Sequence, residues 1–392
     1  MRVLHINTFG NGSTGRIAAD ICRTLHENEH EGLVAFSRNN IDNDVPHFQF
    51  GSKWSVYMDG VLTRITDRAG FYSSRQTKNL IKKIKEFDPD IIHLHNLHGY
   101  YINIEILFKY LRESGKPVVW TLHDCWPFTG HCPYFDFVGC DKWKTGCHDC
   151  PQIHEYPKSL LIDNSAQNYR KKKELFTSLK RMRIVTPSNW LANLVNQSFL
   201  NKYPVHVIHN GINRDIFKPT YGNWTRDHLL EDKKIILGVA NIWERRKGLN
   251  DLVKLSELLP EDYQVVVVGL TDKQLKDMPS KVIGIKRTES AKELAEIYTS
   301  AYVFVNPTYE DNFPSVNLEA LACGTPVITY ETGGGPEIIT EEIGAIVPKA
   351  DIQSLASQIM SIRDSPEACE VIANQFDRKQ CYQPYIKLYE MI

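Results

Sequence analysis

Short apolar runs of strand length alternate with longer stretches of helical spacing, and the alternation occurs twice along the chain. The first set places strands at 3–7, 91–95, 117–122, 184–186 and 205–208, with helical patterns from Arg16 and over 104–113 between them. A polar, turn-rich stretch at 219–224 interrupts the pattern. The second set places strands at 235–240, 264–269, 302–306 and 326–330, with helices over 249–258, 293–299 and 315–323, the last closed by Gly324. Strands that alternate with helices predict parallel sheets covered by helices. The pattern therefore predicts an α/β protein of two Rossmann-like, doubly wound domains facing each other across a cleft. Residues 1–218 form the first and 219–370 the second, while a helix in 371–392 returns to the first. Segment 124–157 breaks the rhythm with Cys, Pro, Gly and aromatics, and reads as an elaborated loop. No period of 20–50 residues marks a solenoid.

Length agrees, because 392 residues exceed what one compact core accommodates. An apolar content of 42% with 10% aromatics belongs to a globular chain rather than a disordered one. Lys and Arg number 46 against 47 acids, so no overall field draws the protein to nucleic acid. The opening run at 3–7 reads as a buried strand and not as a signal peptide. No apolar stretch reaches the roughly 18 residues of a spanning helix. The expectation is a cytoplasmic protein, with any membrane contact peripheral and at the inner face of the plasma membrane.

Candidate chemistry concentrates at predicted strand ends, where open α/β sheets bind ligands. The strand ending at Asn306 runs into a loop with Asp311, Asn312, Phe313 and Pro314, then into a helix opening at Ser315 and Val316 and carrying Glu319. Seven residues separate Asp311 from Glu319, Ser315 can cap the helix, and Glu310 is a second acid with poorer spacing. A carboxylate there can accept two hydrogen bonds from a vicinal diol, each worth roughly 1.5–3 kcal/mol. Gly333, Gly334 and Gly335 follow the next strand and open another helix, a backbone that bulky phosphates can approach.

This arrangement resembles the retaining glycosyltransferases of family 4, which have the two-domain GT-B fold. Their hallmark is two acids seven residues apart, followed by Ala and, a few residues on, Gly-Thr/Cys-Pro-Val; here Ala320 follows Glu319, and Gly324, Thr325, Pro326 and Val327 follow Cys323. The family's first acid is normally Glu, and this chain has Asp311. The resemblance extends over most of the chain, including Thr186-Pro187-Ser188 and the segment from Ile208 to Pro219. It implies that Glu319 holds the nucleotide ribose and Asp311 the hydroxyls of the donor sugar. Lys247-Gly248 matches the family's Lys-Gly, whose lysine neutralises the diphosphate. The family's Arg five residues earlier is replaced by Ile242, leaving Arg245 and Arg246 as substitutes. His123, after the strand at 117–122, matches a histidine beside the reacting sugar. Gly12 and Gly15 lie in a loop like the one that approaches the donor phosphates. The implied catalytic set is His123, Lys247 and Asp311. The implied chemistry transfers a sugar from a UDP- or GDP-sugar to a saccharide or lipid-linked saccharide in surface polysaccharide synthesis, with no cofactor for the chemistry. His93, His95 and His98 read as acceptor-site or core residues.

Rossmann units also serve NAD-dependent oxidoreductases, but no strand-end acid follows the Gly10–Gly15 loop at the required distance of about 20 residues. A nucleotide-sugar epimerase of the same fold is the other enzyme reading. Nine cysteines include five between Cys125 and Cys150. The two-residue gap between Cys147 and Cys150 lets both sulfurs reach one ion, and Cys132 and Cys140 complete a structural zinc set, with His131 and His148 as substitutes. Free packed thiols are the alternative. In the basic stretch 170–183, Leu175, Phe176, Leu179 and Met182 fall at helical spacing. They face either the core or an anionic lipid surface.

Overall fold

The computed structural model describes every residue except 364. It divides into two compact units, one formed by Met1–His209 with Tyr382–Ile392 and the other by Asn210–Cys381.

The first unit contains a seven-stranded sheet. In chain order its strands are β1 (Arg2–Phe9), β2 (Glu31–Arg38), β3 (His47–Gln49), β4 (Ile91–Leu94), β5 (Val118–Thr121), β6 (Met182–Thr186) and β7 (Val205–Val207). They lie in the order β3-β2-β1-β4-β5-β6-β7, every pairing parallel. The second unit's sheet uses β8 (Lys234–Val239), β9 (Tyr263–Val268), β10 (Val282–Ile285), β11 (Val303–Asn306), β12 (Val327–Tyr330) and β13 (Gly344–Val347). Their order is β10-β9-β8-β11-β12-β13, again all parallel. Both sheets are doubly wound α/β sheets with helices on their faces. Central strands such as Val118–Thr121 and Val303–Asn306 are buried at every position, as a sheet covered on both sides requires. Strand order reverses between β1 and β4 in the first sheet and between β8 and β11 in the second, and such switch points open the crevices that take ligands.

The unit boundary falls at 209/210 rather than 218/219, and only residues 382–392, not 371–392, return to the first unit. The cause is a bridge of backbone hydrogen bonds. Ile212 N–H donates to Phe376 O at 2.8 Å, and Arg378 N–H donates to Ile212 O at 3.0 Å. Ile212 and Phe217 are buried in the second core, so 210–218 belongs with it. The basic stretch also departs from expectation. Its helix, Ser165–Phe176, ends before the last apolar residues, and Met182 opens β6. Phe176, Leu179 and Met182 are core residues, so this stretch offers no apolar face to lipid. Lys172 is buried beneath the ring of Trp126, and its Nζ donates to Trp126 O at 2.9 Å and Thr129 O at 3.2 Å. Burial pushes its pKa down to about 7.

The final helix, Gln383–Glu390, is held to the first sheet by polar contacts as well as apolar ones. Tyr389 Oη lies 2.6 Å from His93 Nδ1, and Tyr385 Oη lies 3.0 Å from Thr121 Oγ1, all four groups buried. Removing a buried aromatic ring costs about 3–5 kcal/mol. A buried imidazole nitrogen left without its partner adds about 1–3 kcal/mol. Tyr389→Ala is therefore expected to lower the melting temperature of the first unit by on the order of 10 °C, with Tyr389→Phe intermediate, as read by calorimetry. Equal melting of all three proteins would show that the final helix does not support this sheet.

Candidate active site

In the second unit, three loops at strand ends are sewn together. The loop after β8 closes in a 3₁₀ turn, Arg245–Lys247, and Gly248 then starts the helix Leu249–Leu258. Gly248 has φ +75°, and a Cβ there would stand 2.1 Å from Pro307 O in the loop after β11. Tyr309 N–H donates to Arg246 O at 2.7 Å, and Arg246 Nη1 donates back to Glu310 O at 2.8 Å. The loop after β12 joins at Gly333, where φ is +58° and a Cβ would stand 1.8 Å from Asp311 O. Gly334 N–H donates to that same oxygen at 3.1 Å. Beneath them the buried Asp251 accepts from Tyr309 Oη at 2.7 Å and Tyr330 Oη at 2.9 Å.

Lys247 Nζ forms an ion pair with Asp311 Oδ2, and Arg246 Nη1 stands 3.9 Å from the same oxygen. Burial works to raise the Asp311 carboxyl, but Lys247 and Arg246 outweigh it and hold the group below the usual carboxylate range. Glu310, the competing acid, is fully buried, whereas Asp311 keeps 17% of its side chain exposed and faces the cations. Arg246 stands next to Asp311, while Arg245 is exposed. Arg246 is thus the guanidinium that occupies the site in place of the residue at Ile242, itself 57% exposed.

Glu319 projects from the helix Ser315–Ala322, is 6% exposed, and accepts from Tyr298 Oη at 3.2 Å. Pro314 takes the cap position and Ser315 is the first helical residue, so the expected serine cap does not form. Proline supplies no side-chain acceptor, which leaves the first-turn amides without a side-chain cap. The helix expected at Gly333–Gly335 is only a 3₁₀ turn, Gly335–Ile338. Asn312 and Pro314 are buried and Phe313 packs in the second core, whereas Ser315 and Val316 are partly exposed. Phe313 can therefore meet a ligand only through its backbone.

The first unit carries its own group of polar residues on β1 and just beyond β4 and β5. His123 Nε2 lies 3.1 Å from His95 Nδ1, and His95 Nε2 lies 3.1 Å from His5 Nδ1. Burial pushes His123 down to about 4 and His5 to about 3, so both rings are neutral near pH 7. His98 Nε2 stands 2.7 Å from Asp124 Oδ2, and Asp124 Oδ1 accepts from Trp126 N–H at 2.9 Å. Gly12 is exposed at the start of the helix Gly12–Glu27, while Gly15 is buried against the Gly10 backbone. The sequence pattern did not bring out the imidazole chain, because His5 lies 90 residues from His95.

Cys132, Cys140, Cys147 and Cys150 line one small pocket together with His131 and Trp143. The Cys132 and Cys150 thiols are hydrogen-bonded, and Cys147 Sγ accepts Gly130 N–H at 3.1 Å. His131 Nδ1 is engaged by Asp67. Cys125 is buried in the same core but does not line this pocket. The four sulfurs are gathered but not drawn tight. Among the described residues, only His5, His93 and His95 bring three ligand atoms within 4.8 Å of one another.

Two doubly wound α/β domains are the architecture of the GT-B fold, and the second carries Lys247, Arg246 and Asp311 together at its switch point. Residues 14–216 match Glycosyltransferase Family 4 and residues 222–378 match Glycosyl transferases group 1, so the chain belongs to glycosyltransferase family 4. WcaC of Escherichia coli (strain K12), a glycosyl transferase named for colanic acid biosynthesis, is 26% identical over 68% of this chain and 66% of its own length, just under two thirds. The D-inositol 3-phosphate glycosyltransferase of Mycolicibacterium smegmatis is 28% identical over 92% of this chain and 81% of its own. HepE of Anabaena, solved with UDP and glucose, superimposes with a TM-score of 0.71 over 100% of both chains at 15% identity. Sucrose-phosphate synthase of Thermosynechococcus elongatus also gives 0.71, over 100% of this chain and 98% of its own, at 16% identity. These likenesses place the fold and family over the oxidoreductase reading. Among the described residues, no helix is long and apolar enough to cross a membrane.

Proposed function

We propose that the protein is a retaining glycosyltransferase that moves a sugar from a UDP- or GDP-sugar to a lipid-linked saccharide during surface polysaccharide assembly. The observation that carries this reading is the convergence of Arg246, Lys247, Asp311 and the glycine loop at one switch point, with Glu319 one helical turn away. The names of WcaC and of HepE bound to UDP and glucose support the polysaccharide and the donor. Lys247 and Arg246 neutralise the diphosphate, Glu319 accepts from the ribose diol, and Asp311 orients the sugar hydroxyls. The acceptor oxygen bonds to the anomeric carbon on the face from which the nucleotide leaves. The bond from that carbon to the diphosphate oxygen breaks, and the acceptor's proton passes to that oxygen. His123 contributes from the first domain, next to the sugar. Glu319→Gln and Lys247→Ala are each expected to cut nucleotide-sugar turnover about ten- to a hundredfold while the fold stays intact by circular dichroism, for the loss of one charged hydrogen bond of roughly 1.5–3 kcal/mol. Undiminished turnover in both would remove the assignment. An epimerase would turn over the donor with no acceptor present.

The lipid-linked acceptor is favoured by a surface of the first unit other than the basic stretch. Trp54, Tyr57, Met58, Leu62 and Ile65 are exposed on the helix Lys53–Thr66, Trp54 at 70%. Leu160, Leu161 and Ile162 extend the patch, joined to the helix by Leu160 N–H donating to Arg64 O at 2.8 Å. Lys53, Arg64 and Lys158 are exposed close to these residues in the chain, as are the acids Glu155 and Asp163. Apolar side chains with interfacial aromatics and flanking cations suit an anionic bilayer surface. Sedimentation with phosphatidylglycerol vesicles at low salt is expected, and a Trp54→Ser, Leu161→Ser variant should lose it at least tenfold. No sedimentation, or a dimer abolished by the same variant, would assign the patch elsewhere.

We further propose that Cys132, Cys140, Cys147 and Cys150 hold one structural zinc, which would draw the four sulfurs into a tetrahedron and staple a loop with little core of its own. Protein purified without chelator should contain about one zinc per chain, lost in Cys147→Ser. Metal-free wild-type protein with an unchanged melting temperature would leave these thiols as packing.

A further inference from the structure

The imidazole chain inside the first unit has a direction that its geometry determines. His5 on β1, His95 just past β4 and His123 just past β5 are joined by two nitrogen-to-nitrogen contacts of 3.1 Å each. His5 and His95 are 0% and 1% exposed. A neutral imidazole carries one N–H and one lone pair, so each ring that donates through one nitrogen accepts through the other. Both contacts must then run the same way, inward or outward.

The buried end decides which. His5 Nε2 is buried and has no hydrogen-bond partner among the described residues. If the chain ran inward, that nitrogen would carry an N–H with nothing to receive it. If it runs outward, it carries only an unused lone pair. An orphaned buried N–H is the rarer arrangement in folded proteins, and we take it as the costlier of the two. The proton of His5 therefore sits on Nδ1 and is donated to His95 Nε2. The proton of His95 sits on Nδ1 and is donated to His123 Nε2. His123 is left with its own proton on Nδ1, its Nε2 lone pair being engaged.

The neighbours hold this order in place. His93 stacks on His95 at 4.2 Å between ring centres and lies tilted against His5 at 4.8 Å. Both His93 nitrogens are taken, by Tyr389 Oη at 2.6 Å and Thr121 Oγ1 at 2.8 Å, so it cannot divert a proton from the chain. The same contacts argue against a metal on His5, His93 and His95. Their ligand atoms are close enough, but every nitrogen except His5 Nε2 already has a hydrogen-bond partner.

We propose that His5 and His95 are positioning residues that set the tautomer of His123, so that this ring offers Nδ1–H as a neutral hydrogen-bond donor to a substrate oxygen. The inference rests on the reading of His123 as an active-site residue. Its test separates the two.

Histidine-selective ¹⁵N labelling with long-range ¹⁵N–¹H correlation reads the tautomer without substrate, the His123 signals being assigned by their loss in His123→Ala. In the wild-type protein at neutral pH, His123 should carry its proton on Nδ1, the form a solvated imidazole populates less. His5→Phe removes the donor that orders the chain and should move His123 toward Nε2–H. The same variant should lower kcat about tenfold with little change in KM for the nucleotide sugar. A wild-type His123 protonated on Nε2, or a His123 tautomer unmoved by His5→Phe, overturns the proposal, and the wild-type spectrum alone decides should His5→Phe fail to fold. Displacement of the His5 and His93 signals on adding zinc after chelation would also overturn it, making the cluster a metal site. Full activity in His123→Ala would instead remove the role of His123 and leave the tautomer result standing.

Discussion

The donor-side architecture depends on two places where one loop's backbone presses directly on another's. Gly248 lies under Pro307 O and Gly333 lies under Asp311 O, at separations that leave no room for a Cβ. These contacts bring the ends of β8, β11 and β12 closer than side chains would permit. The polar groups then fall where they are needed. Tyr309 N–H and Arg246 Nη1 bond across the first junction, and Gly334 N–H bonds across the second. The phosphate-binding role proposed for these loops needs donors in place before the ligand arrives, because ordering them afterwards would cost binding energy. Here the backbone supplies that order.

Charge follows from the same constraint. Asp311 is brought against Lys247 and Arg246 by the loops that carry them, and burial alone would push it toward protonation. The two cations reverse that. Its pKa in the folded state is below its unfolded value, so the stability it contributes is present above that unfolded value, about 3.9, and is lost as pH falls through the folded one. In the neutral range Asp311 is ionised. A diphosphate would then compete with Asp311 for Lys247, freeing the carboxylate for neutral hydroxyl partners. A site built this way exchanges one charged contact for another, and so avoids exposing a bare buried cation.

Much of this was legible in the sequence, for identifiable reasons. Parallel strands buried on both faces read as apolar runs, so most of the sheet could be placed, and Asp311, Glu319 and Lys247 followed from their position at strand ends. The interior strand β2 was not placed, and neither were the short edge strands β3, β10 and β13, whose half-buried positions, such as those of Val282–Ile285, carry no clear period. Local rules failed where tertiary contacts decided. Ser315 had the right chemistry for a cap, but Pro314 occupies the position. The basic stretch had helical spacing, but its helix stops at Phe176 because Met182 is needed in β6. The choice between Arg245 and Arg246 depended on a carbonyl, that of Glu310, which no spacing rule can locate.

The least legible feature, the buried histidines of β1 and β4, ties the two ends of the chain together. His93 and Thr121 are buried polar groups in the interior of the sheet, and buried polar atoms need partners. Those partners are the hydroxyls of Tyr389 and Tyr385, from the last eleven residues of a 392-residue chain. Until residues 382–392 dock, the first sheet holds an imidazole whose Nδ1 has lost its bonding partner next to the strand ends that position His95 and His123. The first domain is therefore encoded first but completed last. Completing it with residues that follow the entire second domain makes the polar interior of the first sheet depend on a segment distant in sequence, held there by Tyr385 and Tyr389.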